Sequence, residues 1–140
     1  MSGRQKVFLD TNILFYAHDA ADARKQGIAR DLIRDAADAH RILVSTQVLQ
    51  EFSNACIKKL SLSEADMLLL LDEFFKLDIV QITPAMIKEA VDLHFVSGYS
   101  FYDSLILSAA ASAGCQVVYT EDMAHGQTVL GVKLLNPFVL

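Results

Sequence analysis

Apolar residues fall along this chain in two alternating rhythms. Short unbroken runs, Val7-Phe8-Leu9, Ile42-Leu43-Val44, Ile79-Val80 and Val117-Val118-Tyr119, have the length of strands buried on both faces. Between them, Ile28, Leu32 and Ile33 recur at helical spacing, as do Val48, Leu49, Phe52 and Cys56. Local signals mark the ends of the helices: Ser45 or Thr46, Ser63 before Glu64-Ala65-Asp66, Thr83-Pro84 and Ser100 as starts, Gly98 and Gly114 as stops. The pattern predicts strands over 6–9, 42–44, 79–82, 117–119 and a short last one over 132–135. It predicts helices over 12–17, 22–39, 46–60, from Ser63 to near Lys76, from Pro84 to near Ser97, and from Ser100 to Gly114. Such alternation is the signature of an α/β fold, a parallel sheet covered by helices on both faces. No linker, repeat or low-complexity segment interrupts it, so one domain over 1–140 is expected.

The bulk properties narrow this picture. A chain of 140 residues is long enough to bury a proper core. Its hydrophobic fraction of 53% is slightly high, which suggests that some apolar surface is covered by a partner. No stretch reaches the roughly 20 apolar residues of a membrane span; the best run, Leu105 to Ala113, follows Asp103 and stops at Gly114. Met1-Ser2-Gly3-Arg4-Gln5-Lys6 leads into the first strand without room for a signal peptide, so a cytoplasmic protein is expected. Cys56 and Cys115 lack any metal-ligand spacing and read as buried, reduced thiols. A net charge of −5 argues against indiscriminate nucleic-acid binding. The bases are unevenly spread, however: Arg24, Lys25, Arg30, Arg34 and Arg41 cluster, and so do Lys58 and Lys59. A solvated helix face and an RNA track both account for them.

The candidate chemistry lies in four acids. Asp10 and Asp122 each follow an apolar strand, and the carboxyl ends of strands form the ligand crevice of an open α/β sheet. Asp103 and Glu51, on nearby helices, are candidates for the same pocket. Each has a bland alternative: Asp10 as a helix cap, Asp122 as a turn residue, Glu51 as solvated surface, and Asp103 as part of the capping pattern Ser100-Phe101-Tyr102-Asp103. If the carboxylates do converge, their repulsion demands a cation or protonation. A divalent ion held by oxygen ligands is the economical answer, and metal-assisted phosphoryl chemistry the leading idea. Thr11 and Asn12 would then orient Asp10 or its bound water. His18, His40, His94 and His125 share no spacing and adjoin no nucleophile motif, so they read as surface or loop residues.

Taken in order, Asp10-Thr11-Asn12, Glu51 in a helix, Ser100-x-x-Asp103 and Thr120-x-Asp122 resemble the PIN-domain ribonucleases. The likeness is closer to the VapC-type toxins of prokaryotic toxin–antitoxin pairs. It extends to Ser100-Phe101-Tyr102-Asp103-Ser104-Leu105-Ile106, to the segment from Tyr119 to Gln127 and to Asn136-Pro137-Phe138. The resemblance implies a three-layer α/β/α sandwich with a central parallel sheet of four to five strands. It implies that Asp10, Glu51, Asp103 and Asp122 gather around Mg²⁺ or Mn²⁺, with Thr11, Asn12, Ser100 and Thr120 in support. Asp10 and Asp103 would ligate directly, Glu51 would ligate or assist deprotonation, and Asp122 would ligate or orient a ligand water. The reaction implied is endonucleolytic hydrolysis of RNA by a metal-activated water, leaving 5′-phosphate and 3′-hydroxyl ends. A homodimer and a protein antitoxin that inserts a segment near the pocket are implied as well. The apolar run Met67 to Leu71 with Phe74 and Phe75 fits an interface, although ordinary core is the more common role for such residues.

Three rivals remain. A phosphatase of the haloacid-dehalogenase kind needs a second Asp where Asn12 stands, and a Lys ahead of Glu121-Asp122 that is missing. A catalytically silent RNA- or protein-binding module would be expected to have lost some of the acids. A receiver-like signalling domain would place its acceptor Asp mid-chain. Transfer, ribosomal and messenger RNA all stay open as targets.

Overall fold

Val7, Phe8 and Leu9 are fully inaccessible to solvent, and this decides where the first strand must lie. A strand apolar on every side chain can only sit mid-sheet with a helical layer on each face. The computed structural model describes residues 4–139 and places β1 (Lys6–Leu9) accordingly. The expectation for the segment's start, Met1 to Gly3, lies outside the described residues.

After β1 come α1 (Thr11–Tyr16), α2 (Ala23–Ala39), β2 (Arg41–Ser45) and α3 (Thr46–Ala55). A π-helical extension (Cys56–Leu60) leads to α4 (Glu64–Phe74), β3 (Asp78–Val80), α5 (Pro84–Ser97) and α6 (Phe101–Ser112). The chain closes with β4 (Val117–Tyr119), β5 (Thr128–Val129), β6 (Val132–Leu135) and a 3₁₀ turn (Pro137–Val139). Ser45, Ser63, Thr83 and Ser100 each accept a hydrogen bond from the backbone N–H three residues on, as the capping signals predict.

The sheet runs β3-β2-β1-β4-β6-β5. β1 pairs in parallel with β2 on one side and with β4 on the other, so the direction of winding reverses between β1 and β4. Right-handed crossovers then put the helices preceding β3 on one face and α5 with α6 on the other. The carboxyl ends of β1 and β4 flank the switch point, where open α/β sheets bind their ligands.

Several sequence expectations are corrected. The sheet has six strands, beyond the four to five expected, and is not wholly parallel: β5 pairs antiparallel with β6. Its turn is made by Leu130 and Gly131, both at positive φ, and lacks the Asn-Gly signature that would have announced it. β3 ends at Val80, short of the predicted 82, because the Ile82 N–H is given to the Thr46 hydroxyl at 3.3 Å. The helix expected over 46–60 changes pitch at Cys56. Of the apolar run in α4, Met67 is core, whereas Leu68, Leu69 and Phe75 are more than half exposed. Both cysteines are buried and free, as expected. His18 lies in the turn after α1, as a loop residue would, but is half-buried there with its ring edge-on to Phe52 and Phe74. Among the described residues, no helix is long and apolar enough to cross a membrane.

Phe52 anchors α3 to the core: fully buried, it meets Phe74 edge-on with ring centroids 5.1 Å apart. Phe52→Ala should cost about 3–5 kcal/mol of unfolding free energy. Urea denaturation checks this, and a loss below 1 kcal/mol would show that the site collapses freely.

Candidate active site

Asp10 is both the residue after β1 and the cap of α1, so its carboxyl group is buried where the sheet opens. Its backbone N–H continues the ladder to the Tyr119 carbonyl at 3.0 Å. Its Oδ1 accepts from the Thr11 N–H at 2.7 Å, and its Oδ2 accepts from the buried Thr120 hydroxyl at 2.7 Å. Thr120 Oγ1 in turn accepts from the Asp122 N–H at 3.1 Å. Asn12 completes the link: its amide donates to Asp122 Oδ2 at 3.0 Å and its Oδ1 accepts from the Glu121 N–H at 3.3 Å. Two strand-end turns, 10–12 and 120–122, are thereby locked together across the switch point.

Asp103 enters from the first turn of α6, where the Ser100 hydroxyl accepts its N–H at 3.1 Å. The capping pattern and a place on the cavity wall therefore coincide in this residue. Asp10, Asp103 and Asp122 each offer a carboxylate oxygen within 4.8 Å of the other two. Glu51 is not part of this trio. It lines the same cavity of about 250 Å³ from α3 but stays exposed at its rim. Thr11 and Asn12 line the cavity too, while Thr120 lies buried beneath and Ser100 stands outside as the cap.

The electrostatics follow from this placement. Burial pushes the Asp10 carboxyl from 3.8 up to about 7, against the hydrogen bonds from Thr120 and Thr11, and the nearby Asp122 and Asp103 push it the same way. Glu51 is raised by burial first, opposed by the Gln47 amide and reinforced by Asp103 and Asp122. Asp103 is likewise raised by burial and by Asp122. A hard divalent cation fits this donor set, which consists of oxygens alone. The hydroxyl of Thr11 and the Oε1 of Gln47, both at residues lining the cavity, are buried without a hydrogen-bond partner.

Three contributors escaped the sequence reading. Gln47 is buried and donates to Glu51 Oε1 at 3.0 Å and to the Tyr102 carbonyl at 3.1 Å, fixing the acid on its own helix. The signal was its position four residues before Glu51, on the same helical face. Lys59, whose ammonium lies 5.6 Å from the centroid of the Phe15 ring, is the basic residue lining the cavity. Glu121 also faces the cavity, but its Oε2 is held by Lys25 at 2.7 Å, which leaves it neutralised and a poorer ligand than its neighbour Asp122.

Comparison with known proteins establishes the family and the fold. The family model described as PIN domain matches residues 7–128, and the chain belongs to the PIN-domain family. Among solved structures, it is similar to the Mycobacterium tuberculosis toxin VapC20, described as cleaving the sarcin–ricin loop. The TM-score there is 0.68 at 21% identity, covering 83% of this chain and 91% of that one. It is similar to VapBC2 from Rickettsia felis, bound to promoter DNA, with a TM-score of 0.66 at 20% identity over 93% and 97% of the two chains. A toxin–antitoxin complex from Klebsiella pneumoniae gives 0.68 at 16% identity over 94% and 97%. At these identities the likeness establishes the fold. No curated protein is similar enough to be counted as a relative.

The Asp10 carboxyl makes stability depend on pH in a defined direction. Its folded pKa lies above its unfolded one, so the stability of the neutral form is complete below about pH 4 and is lost as pH rises toward 7. Metal-free protein should lose on the order of 2–4 kcal/mol across that window, and Asp10→Asn should escape this loss. Urea melts of both proteins in EDTA at pH 4.5 and pH 8 test it; parallel losses would place the titrating group elsewhere. A divalent ion favours the carboxylate, so its thermal stabilisation of wild type should grow from pH 6 to pH 8.

Proposed function

We propose that this protein is a metal-dependent endoribonuclease, the toxin of a VapBC-type toxin–antitoxin pair. The observation that carries this reading is the convergence of Asp10, Asp103 and Asp122 at the β1/β4 switch point of a PIN-domain chain. One of the similar structures is described as a toxin that cleaves the sarcin–ricin loop, and another as a toxin–antitoxin complex.

In this reading Asp10, Asp103 and Asp122 hold Mg²⁺ or Mn²⁺, with Glu51 as a further ligand or as an acceptor for the proton of the attacking water. The bound ion would supply charge neutralisation at the phosphate and an acidified water. The chain's own residues do the rest. Thr120 and Asn12 fix the directions of Asp10 and Asp122, so the donors need no reorganisation when substrate arrives. Gln47 keeps the Glu51 carboxylate turned into the cavity. Burial and its acidic neighbours raise the affinity of Glu51 for a proton, which is the direction an acceptor for the proton of the attacking water requires. No side-chain nucleophile is required, because water attacks the phosphorus and the 3′-oxygen leaves.

Leu68, Leu69 and Phe75, exposed on and just after α4, support a protein partner in the cell, an antitoxin or a second copy of the chain. Such a pair would act in the cytoplasm.

Purified protein incubated with total RNA and Mg²⁺ or Mn²⁺ should give discrete fragments that vanish with EDTA and with Asp10→Asn. Thr120→Val, which removes the hydroxyl orienting Asp10, should lower the rate about 10- to 100-fold. Identical patterns from wild type and Asp10→Asn would sink the nuclease reading and favour a silent binding module.

A further inference from the structure

Helix α3 carries Gln47, Gln50, Glu51 and Asn54 at i, i+3, i+4 and i+7, which is a single helical face. Tyr102, in the first turn of α6, stands against that face. These five residues line a cleft of about 280 Å³. Gln47, Glu51 and Tyr102 also line the acidic cavity, so the two hollows share a wall. Their chemistry differs sharply. The cavity is lined by carboxylates, whereas beyond Glu51 the cleft offers the exposed amides of Gln50 and Asn54 and an aromatic residue, Tyr102, that is 63% exposed.

Tyr102 is held without being covered. Its carbonyl accepts from Gln47 at 3.1 Å, and its ring meets Phe101 edge-on at 5.2 Å. A large exposed ring fixed beside a phosphoryl-transfer site is poorly explained by packing. It is what an unpaired base requires, since every base has a π-face on which an aromatic side chain stacks. Side-chain amides pair a donor with an acceptor and so match the edges of bases, which are accessible only in single-stranded RNA. The shared wall sets the geometry. A base in the cleft belongs to a nucleotide next to the phosphate in the acidic cavity.

We propose that this cleft takes the nucleobase adjoining the scissile phosphate of a single-stranded RNA, stacked on Tyr102 and read by Gln50 and Asn54. The inference rests on the nuclease reading and deepens it, because it names the residues that select where the strand is cut.

The test is sequencing of cleavage sites in a randomised single-stranded RNA, with steady-state kinetics on one preferred oligonucleotide. Tyr102→Ala should lower kcat/KM about tenfold to a hundredfold, and Tyr102→Phe should recover most of it. The Gln50→Ala/Asn54→Ala double variant should flatten the base preference at one position beside the cut. The Mg²⁺ concentration for half-maximal rate should not move in either case, whereas mere disturbance of Asp103 by its neighbour would shift it. If wild type cuts and both sets of variants keep its preference and its kcat/KM, the cleft has no role in RNA and suits a protein segment better; the nuclease reading survives. If wild type cuts nothing, the nuclease reading fails, and fluorescence anisotropy with a labelled single-stranded oligonucleotide decides on base binding. Unchanged binding by Tyr102→Ala then overturns the cleft, and weakened binding sustains it.

Discussion

The structure is organised around a carboxyl group in a place where carboxylates are costly. Asp10 follows the fully buried Val7, Phe8 and Leu9, and burial is the largest influence on its proton affinity. Two hydrogen bonds offset part of that cost, and a cation would offset the rest. The other polar features follow from this one. Thr120 is buried because it must donate to Asp10, and its oxygen then positions Asp122 through the backbone. Asn12 holds Asp122 from the far side, so the acids are arranged by the same short turns that close the ends of β1 and β4.

This arrangement also decides how a polyanion can approach. A chain of net charge −5 with carboxylates converging at its one switch point repels phosphate on its own. Under the proposed function, a bound cation would reverse the local sign, making substrate affinity conditional on the ion and tying recognition to competence. The cations close at hand are few. Lys25 is committed to Glu121, and Lys59 stands over Phe15 at the rim. Under the proposed function, affinity beyond the ion would draw largely on other groups, and aromatic and amide side chains lie beside the cavity.

Much of this was legible in the sequence. An apolar run that ends in Asp-Thr-Asn, or in Thr-Glu-Asp, specifies both a buried strand and an acid at its carboxyl end, because local pattern and global fold demand the same thing there. Asp103 was legible through Ser100, since a capping pattern fixes where a helix starts. Glu51 was harder: helical periodicity put it at the core's edge, and its place at the rim depends on how α3 meets α6. The exposure of Leu68, Leu69 and Phe75 could not be read, since apolar side chains carry no mark saying whether their cover is core or partner. The β5–β6 hairpin was missed because Leu130 adopts positive φ, a conformation that a side chain seldom takes and no local signal reveals.

The change of pitch in the third helix has an angular consequence. Glu51, Ala55 and Lys59 all border the acidic cavity, although residues eight apart on a regular α-helix point about 80° away from each other. The wider turn over Cys56–Leu60 absorbs that offset and swings the ammonium back into line with the carboxylate. The helix thus has two phases, one keyed to the core through Phe52 and the other to the cavity mouth. A helix divided in this way lets the charge of Lys59 be exchanged without rotating Glu51 two turns earlier, so the cationic and the acidic stretch of the rim form separately adjustable parts of one element.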